Sequence, residues 1–308
     1  MREGRYFLMI DTKVNIAGVE FKNPVIAASG TFGFGREFLE YFPISKLGGL
    51  ATKGLTLRER EGNKGVRIHE TIGGIMNSIG LQNPGIDAFI EEELPFLNSQ
   101  DTVIIANVSG NTIDEYVISV EKLNQTDIDM IELNISCPNV KEGGISFGTK
   151  AEIASNVVTQ VRKVCQKPLI VKLSPSAENI VEMAESCVEA GADALSLVNT
   201  FPALAIDISK KKAIFDNITA GLSGPCIKPI ALRMVYEVSK AVDVPIIGIG
   251  GIMDYRDAIE YIMAGAWAVQ VGTANFINPN ACAEIIEGIE EYLQKEGIST
   301  LEEIRGII

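Results

Sequence analysis

The hydrophobic positions of the chain fall into short, nearly continuous runs, separated by longer polar or amphipathic stretches. Such runs are typical of strands that are buried on both faces of a parallel sheet. Eight of them occur, at residues 24–29, 50–53, 102–108, 129–135, 168–173, 194–199, 245–249 and 268–272. Between most runs, apolar residues recur every three or four positions, which predicts helices. The clearest predicted helices cover residues 153–165, 180–190, 228–241 and 255–264.

Eight strand-then-helix units predict a (β/α)8 barrel, the TIM barrel. Such a barrel uses about 250 residues as one domain. The chain has 308 residues, so we expect a single domain over 1–308 with some residues to spare. Residues 13–24 alternate around Ala17 and Gly18, which predicts a β-hairpin at the bottom of the barrel. Two inserts, 56–76 and 201–225, follow the second and sixth strands and would lie at the end of the barrel where active sites form.

The alternative architecture is an open, doubly wound α/β sheet. That fold is often marked by a G-x-G-x-x-G motif after an early strand, and none is present. The late segment 248–253 reads GIGGIM and has Met253 where the last glycine would stand. The pattern therefore favours the barrel.

Composition narrows the range of partners. The chain carries 27 basic and 40 acidic residues, a net charge of −13, which disfavours binding to nucleic acid or to anionic membranes. The single histidine, His69, excludes a two-histidine metal site, and we expect no metal. There is no C-x-x-C motif and no apolar stretch of 18 residues, so we expect a cytoplasmic chain with reduced thiols. The five cysteines are Cys137, Cys165, Cys187, Cys226 and Cys282.

Polar residues stand at the C-terminal end of almost every predicted strand, which is where barrel enzymes carry their chemistry. They are Ser29, Lys53, Asn107, Asn134, Lys172, Asn199 and Thr200. The last two strands end instead in Gly250-Gly251 and Gly272-Thr273. Loops at these positions commonly bind phosphate through backbone N–H groups. The sequence favours a phosphate site there over simple turn glycines.

Two lysines, Lys53 and Lys172, stand at strand ends among apolar neighbours. A buried lysine must meet an anion or shift its pKa, so the pair suggests two negative centres, such as a substrate carboxylate and a reduced flavin ring. The alternative is ion pairing with a strand-end carboxylate, for which Glu132 is the one candidate in these runs. Five asparagines fit a planar ligand with imide and carbonyl groups: Asn77, Asn107, Asn134, Asn139 and Asn199.

Cys137 comes directly after the fourth strand and is followed by Pro138. A cysteine in this position is a candidate base or nucleophile. The only histidine lies in a distant insert, so a cysteine–histidine pair is not expected. Proton abstraction therefore fits Cys137 better than acyl transfer does.

Nine motifs in consistent order resemble those of class 1 dihydroorotate dehydrogenases. They are ASGTFGFG (28–35), NSIGLQNPG (77–85), IANVSG (105–110), ELNISCPNV (132–140), VKLSP (171–175), VNT (198–200), AGLSGPCIKP (220–229), GIGGI (248–252) and VGTANF (271–276). The likeness spans nearly the whole chain and is greatest to the catalytic subunit of the NAD-linked subclass 1B. Cysteine at position 137 implies class 1, because the membrane-bound class 2 enzymes use serine. Cys226 and Trp267 depart from the family pattern at positions with no expected catalytic role.

The resemblance implies an FMN-binding barrel that oxidises dihydroorotate to orotate in de novo pyrimidine (UMP) biosynthesis, with Cys137 as the base. It implies a substrate site made of Lys53, Asn77, Ser78, Ile79, Gly80, Leu81, Asn134, Asn139, Asn199 and Thr200. It implies an FMN site made of Ser29, Lys53, Gly54, Asn107, Asn134, Lys172, Val198, Gly224, Gly250, Gly251, Gly272 and Thr273.

Subclass 1B also implies a partner subunit that carries FAD and a [2Fe–2S] cluster and passes electrons to NAD, around a homodimer core of a heterotetramer. Three alternatives stay open. They are a homodimeric, fumarate-linked subclass 1A enzyme, a dihydropyrimidine dehydrogenase-type barrel, and a non-catalytic flavin or electron-transfer scaffold. A cation at position 53 favours orotate over uracil, which has no carboxylate.

Overall fold

The computed structural model of the chain describes residues 9–135 and 147–308. Over these residues it contains the following strands in chain order: β1 (Val14–Ile16), β2 (Val19–Phe21), β3 (Val25–Ala27), β4 (Gly49–Ala51), β5 (Ile68–Thr71), β6 (Gly74–Asn77), β7 (Val103–Val108), β8 (Met130–Asn134), β9 (Leu169–Lys172), β10 (Ala194–Leu197), β11 (Phe201–Leu204), β12 (Ile206–Asp207), β13 (Lys212–Ala213), β14 (Thr219–Ser223), β15 (Ile246–Ile249) and β16 (Ala268–Val271). The helices are α1 (Ile86–Ala88), α2 (Leu94–Asn98), α3 (Ile113–Asn124), α4 (Ala151–Arg162), α5 (Ile180–Glu189), α6 (Lys228–Ser239), α7 (Tyr255–Met263), α8 (Ala274–Ile277) and α9 (Ala281–Glu296).

Eight strands close into one parallel barrel in the order β3-β4-β7-β8-β9-β10-β15-β16, and β16 pairs with β3. Each of these strands lies within, or one residue from, one of the eight hydrophobic runs. Most of their residues are fully buried, because the barrel interior covers one face and the helices cover the other. The predicted (β/α)8 barrel is therefore confirmed.

The predicted hairpin is also present and lies at the N-terminal end of the barrel. β1 and β2 pair antiparallel around Ala17 and Gly18, both of which have positive φ, as a tight two-residue hairpin requires. Phe21 is fully buried, and its ring would lie 2.8 Å from a Cβ atom on Gly49, the first residue of β4. The hairpin thus packs against the start of a barrel strand.

The two predicted inserts combine into one sheet above the barrel. β5 and β6 come from the region of the first insert and β11 and β14 from the second, and they form an antiparallel sheet in the order β11-β14-β6-β5. We call it the rim sheet. β6 and β14 join the two inserts through the pairs Asn77↔Gly221 and Met76↔Leu222. Met76, Phe215 and Ala220 form a small hydrophobic cluster that is separate from the main core of the barrel.

The barrel helices follow the predicted spans closely, and α5 and α7 begin with polar caps. Asn179 caps α5, and Asp254 forms a reciprocal capping box with Asp257 at the start of α7. Gly191 and Gly265, which follow α5 and α7, have the expected positive φ. α4 ends at Arg162, so Cys165 lies in the turn after the helix rather than on it. Within residues 9–135 and 147–308, no helix has the length and apolar character needed to cross a membrane.

Candidate functional site

The polar residues predicted at strand ends meet at one end of the barrel, which we call the mouth. Asn134 and Lys172 are the last residues of β8 and β9, and these two residues are paired in register. Lys53 lies two residues after β4, and Asn199 two residues after β10. Because all eight strands are parallel and the barrel is closed, their C-terminal ends face the same mouth.

A fully buried carboxylate, Glu132 of β8, lies within the barrel below these residues. Glu132 Oε2 accepts a hydrogen bond of 2.5 Å from Asn107 Nδ2. Glu132 Oε1 accepts two more, 2.8 Å from Ser196 Oγ and 2.6 Å from Gln270 Nε2. The three donors come from β7, β10 and β16, so this one side chain links strands on different sides of the barrel.

Lys172 forms an ion pair with the same carboxylate, with 3.8 Å between Lys172 Nζ and Glu132 Oε2. The sequence offered ion pairing with Glu132 as the alternative to an anionic ligand, and the structure shows that ion pair for Lys172. The distance is too long for a hydrogen bond, and Lys172 Nζ makes none within the described residues. Glu132 therefore balances the charge of the nearly buried lysine while its hydrogen bonds go to neutral groups.

Lys53 is in a different situation. Burial lowers the pKa of its ammonium group, and the positive charge of Arg67 lowers it further. No carboxylate of the described residues lies within 4.0 Å of Lys53 Nζ, so the cation has no ion-pair partner there. A partly buried lysine of this kind gains most from an anionic ligand. Lys53 is the clearest anion-binding candidate at the mouth.

A line of polar contacts runs from the barrel to the rim sheet. Asn199 Nδ2 donates to Asn134 Oδ1 at 3.4 Å, and the backbone N–H of Thr200 donates to Asn199 Oδ1 at 2.7 Å. A Cβ atom on Gly221 would lie 2.2 Å from Thr200 Oγ1. Asn77 Nδ2 donates to the Gly221 carbonyl oxygen at 3.3 Å. Four predicted substrate residues are thus brought together along this line.

The predicted substrate segment 78–81 follows β6 and is held by Asn63. Asn63 Nδ2 donates to Ser78 Oγ at 3.0 Å, and the backbone N–H of Asn63 donates to the carbonyl of Ile79 at 2.9 Å. Gly80 and Leu81 both have positive φ, which turns the chain sharply. The turn is packed closely, since a Cβ atom on Gly80 would lie 2.5 Å from the Asn63 side chain.

The glycines predicted to bind phosphate fall into two groups. Gly250, Gly251 and Gly224 all have positive φ, and a Cβ atom on any of them would lie under 3 Å from another residue. Backbone conformation and packing therefore already require glycine at these three positions. Gly272 is different, because a Cβ atom there would make only ordinary contacts, the nearest 3.6 Å from Ala28 Cβ. Packing therefore does not by itself require a glycine at position 272.

The remaining cofactor candidates surround these groups. Thr273 Oγ1 donates to Ser223 Oγ at 2.9 Å, which joins the end of β16 to the end of β14. Val198 is buried, and its N–H donates to the carbonyl of Ile249. Ser29 lies two residues beyond β3 and is partly exposed. A Cβ atom on Gly54 would lie 3.1 Å from Asn107 Oδ1, so a side chain at this position would crowd the amide.

Two predicted residues, Cys137 and Asn139, lie outside the described residues. Two described residues on either side of this stretch of sequence, Asn134 and Phe147, contact Tyr116 of α3. Its hydroxyl donates to the carbonyl of Asn134 at 2.8 Å, and its ring meets Phe147 edge-on with centroids 6.1 Å apart. The other four cysteines are free thiols, and of these Cys226 alone is exposed.

Sequence reasoning missed several residues of the site. Ser196 and Gln270 donate hydrogen bonds to Glu132. Asn63 holds the 78–81 turn, and the positive charge of Arg67 lowers the pKa of Lys53. A signal was present for the first two, because each is a polar residue within an otherwise apolar strand. No such signal marked Asn63 or Arg67, since polar residues are ordinary in an insert.

Fold and site together define a (β/α)8-barrel enzyme. Its mouth carries a cation with no ion-pair partner in residues 9–135 and 147–308, a line of amides, and glycines after the last two barrel strands. The family model for dihydroorotate dehydrogenase matches residues 11–293. A protein of Geotalea daltonii named dihydroorotate dehydrogenase B (NAD(+)), catalytic subunit, is 56% identical over 97% of this chain and 98% of its own length.

Proteins with the same name are similarly close in two other organisms. The one from Alkaliphilus metalliredigens is 55% identical over 96% of this chain and 98% of its own length. The one from Caldicellulosiruptor saccharolyticus is 53% identical over 97% of this chain and 99% of its own length. The chain belongs to the dihydroorotate dehydrogenase family and is an oxidoreductase.

Membership of this family implies a flavin, and the residues at the mouth fit one. Asn107 Oδ1 is buried and has no hydrogen-bond partner among the described residues. Lys172 presents an ammonium group whose donors are uncommitted there. Gly272 is partly exposed directly after β16 and has no side chain to shield its backbone. An acceptor, a cation and a glycine in the loop after a barrel strand are the kinds of groups that would contact a ring with imide and carbonyl atoms and a phosphate tail.

Proposed function

We propose that this chain is the catalytic subunit of an NAD-linked dihydroorotate dehydrogenase, which oxidises dihydroorotate to orotate in pyrimidine biosynthesis with FMN at the barrel mouth. The observation that carries the proposal is Lys53, a desolvated cation without an ion-pair partner in the described residues, next to a flavin-compatible site. Dihydroorotate and orotate carry the carboxylate that such a cation would bind. The names of the relatives at 53–56% identity support the same reaction.

The oxidation removes one proton from C5 and one hydride from C6 of dihydroorotate, and a C5–C6 double bond forms. FMN, when bound, supplies the hydride acceptor. Cys137 is the proposed base that takes the C5 proton, and Lys53 holds the substrate carboxylate. Asn77, Asn134, Asn139, Asn199 and Thr200, with the 78–81 segment, hold the substrate ring.

The FMN-holding residues are proposed as two groups. Gly224, Gly250, Gly251, Gly272 and Thr273 bind the phosphate through backbone N–H groups and a hydroxyl. Ser29, Lys53, Gly54, Asn107, Asn134, Lys172 and Val198 surround the ring. Lys172 supplies positive charge close to the ring, a preorganised electrostatic contribution of the kind that enzymes use at developing anions.

Cys137→Ser tests the proposed base. A cysteine has an ordinary pKa of about 8.5, so reduction of bound FMN by dihydroorotate should speed up toward alkaline pH in the wild type. In the variant, serine is a far weaker base at neutral pH, and stopped-flow absorbance should show FMN reduction at least about a hundredfold slower. Reduction at the wild-type rate would reject Cys137 as the base.

The electron acceptor is tested separately. We propose a partner subunit that carries FAD and a [2Fe–2S] cluster and delivers electrons to NAD, with a homodimer of this chain at the core of a cytoplasmic heterotetramer. Co-expression should yield a brown complex that reduces NAD. Rapid fumarate reduction by the isolated chain would instead indicate the fumarate-linked subclass 1A.

A dihydropyrimidine dehydrogenase-type reaction is the second candidate, because such barrels share the flavin site and the cysteine. Lys53 distinguishes the two, since uracil and thymine have no carboxylate for a cation to bind. The wild type should reduce its flavin with dihydroorotate and not with dihydrouracil. The reverse preference would favour the second candidate. A flavin that neither compound reduces would indicate a non-catalytic scaffold.

A further inference from the structure

Glu132 determines the orientation of the two side-chain amides next to it, those of Asn107 and Gln270. A carboxylate can only accept hydrogen bonds, whereas the amide of asparagine or glutamine has a donating NH2 at one end and an accepting oxygen at the other. Asn107 and Gln270 both face Glu132, at 2.5 and 2.6 Å. Each must therefore direct its NH2 group at the carboxylate and its oxygen away. This orientation follows from the chemistry of the partners.

Within residues 9–135 and 147–308, neither outward-turned oxygen has a hydrogen-bond partner. Asn107 Oδ1 and Gln270 Oε1 are buried, and neither accepts a hydrogen bond among the described residues. Leaving a buried acceptor unpaired costs about 1–3 kcal/mol, so two such atoms in one cluster point to a missing donor. Asn107 Oδ1 faces Gly54, where a Cβ atom would stand 3.1 Å from it, so a larger residue at position 54 would crowd this acceptor.

We propose that Glu132 is a positioning residue for the cofactor. Its carboxylate holds the Asn107 amide with Oδ1 turned toward the flavin ring, and Oδ1 accepts a hydrogen bond from a ring N–H. The inference rests on the proposed function, because it takes a flavin as the ligand. In this proposal Glu132 does not touch the ring. It determines which end of the Asn107 amide faces the ring.

The isosteric change Glu132→Gln is expected to reverse that polarity. Two donors, Ser196 Oγ and Gln270 Nε2, converge on the position of Oε1, and one, Asn107 Nδ2, points at Oε2. The new amide satisfies most donors when its oxygen takes the Oε1 position. Its NH2 group then faces Asn107, which must turn its own NH2 away and toward the flavin.

The experiment compares FMN with N3-methyl-FMN on full-length protein from which the flavin has been removed. The oxidised flavin ring has a single N–H, at N3, and methylation removes it. We expect the wild type to bind FMN about tenfold more tightly than the methylated form, the worth of one hydrogen bond at the upper end of the usual range. In Glu132→Gln this ratio should fall to about one. General damage to the site would weaken both flavins and leave the ratio unchanged.

Ser196→Ala is the matched control. It removes a hydrogen bond from Glu132 Oε1 but leaves the carboxylate facing Asn107, so the wild-type ratio should persist. Asn107→Ala removes the acceptor itself and should lower the ratio as Glu132→Gln does. If Glu132→Gln does not fold, the flavin-binding ratio of Asn107→Ala tests the proposal in its place.

The outcomes separate the inference from the function on which it rests. A wild type that binds FMN without preference over N3-methyl-FMN, or a full preference kept in Glu132→Gln or Asn107→Ala, would overturn the role of Glu132 alone. A wild-type chain that binds no flavin would overturn the proposed function and this inference with it.

Discussion

Gly221 and Thr200 lie so close that a Cβ atom on the glycine would stand 2.2 Å from the threonine Oγ1. Thr200 follows barrel strand β10, and Gly221 is the rim-sheet residue that pairs with Asn77. The missing side chain lets the rim sheet reach the mouth and brings Asn77 toward Asn199 and Thr200. The substrate site proposed above depends on this approach.

Gly221→Ala should therefore weaken substrate binding. A Cβ contact of 2.2 Å cannot be accommodated without moving Thr200 or β14, and displacement of this kind misplaces Asn77 as well. We expect orotate to bind at least about tenfold more weakly, a loss of about 1.4 kcal/mol, measured by the change in flavin absorbance on titration.

Gly297→Ala controls for simple destabilisation in that experiment. Gly297 ends α9 with φ of 70°, and in the part of the chain that the structure describes no atom lies within 4 Å of its Cβ position. Alanine there should cost about 1 kcal/mol of folding stability through backbone strain and leave orotate affinity unchanged. Wild-type orotate affinity in Gly221→Ala would contradict the proposed approach of the two residues.

Lys53 should couple orotate binding to proton uptake. Burial and Arg67 lower the pKa of Lys53 in the free protein, and the orotate carboxylate favours the charged ammonium and raises that pKa again. Between the two values the lysine gains a proton when orotate binds, so affinity should fall as pH rises through the lowered pKa. Calorimetry at alkaline pH in two buffers of different ionisation enthalpy would measure the uptake.

Lys53→Met should remove both the coupling and most of the affinity. The variant should also unfold at a higher temperature. A lysine with a lowered folded-state pKa binds fewer protons folded than unfolded, which destabilises the native state at neutral pH and less so as pH rises. An unchanged pH dependence of orotate binding in Lys53→Met would show that another group titrates.

The cysteines should differ sharply in reactivity. Burial raises the pKa of both Cys187 and Cys282 to about 12, and burial also raises the pKa of Cys165. The thiolate is the reactive form, so these three should react with a disulfide reagent at neutral pH only when the protein unfolds. Cys226 is exposed and should react quickly.

Cys226→Ser provides the background for testing Cys137 by this method. In that variant, a thiol that still reacts quickly and is protected by orotate would be assigned to Cys137. Fast labelling of Cys187 or Cys282 in the native state, located by peptide mass, would contradict the buried placement of these residues.

The barrel could be predicted from sequence because its strands are buried on both faces. That burial produces runs such as 168–173 and 194–199, in which most residues are apolar, and the observed strands Leu169–Lys172 and Ala194–Leu197 fall inside them. The rim sheet could not be predicted in the same way. Its strands are partly exposed, and the pair Asn77↔Gly221 joins residues that only the closed barrel brings together.

The site shows the same division. Strand-end position identified Lys53, Asn134 and Lys172, because a parallel barrel gathers all such ends at one mouth. The partners of Glu132 could not be assigned, since Ser196 and Gln270 lie on β10 and β16 and reach it only across the barrel interior. Spacing along the chain carries no information about contacts of that kind.

Two buried tyrosines offer a matched pair for separating cofactor binding from catalysis. Tyr261 donates to the carbonyl of Gly250 at 2.7 Å, and Tyr116 donates to the carbonyl of Asn134 at 2.8 Å. The Tyr261 hydroxyl thus holds the end of β15, beside the proposed phosphate loop. The Tyr116 hydroxyl holds the end of β8, three residues before Cys137 in the sequence. Replacing either by phenylalanine removes one buried hydrogen bond and should cost about 1 kcal/mol of stability.

The functional effects should differ although the stability losses are alike. Tyr261→Phe loosens Gly250 and should raise the Kd for FMN several-fold, with little change in the rate at which dihydroorotate reduces the flavin that is bound. Tyr116→Phe should leave the Kd for FMN near the wild-type value and slow that reduction, because the strand end that leads to Cys137 is no longer held. Equilibrium unfolding, flavin titration and single-turnover reduction measure the three quantities. Parallel losses of FMN affinity and reduction rate in both variants would mean that the two strand ends do not act separately.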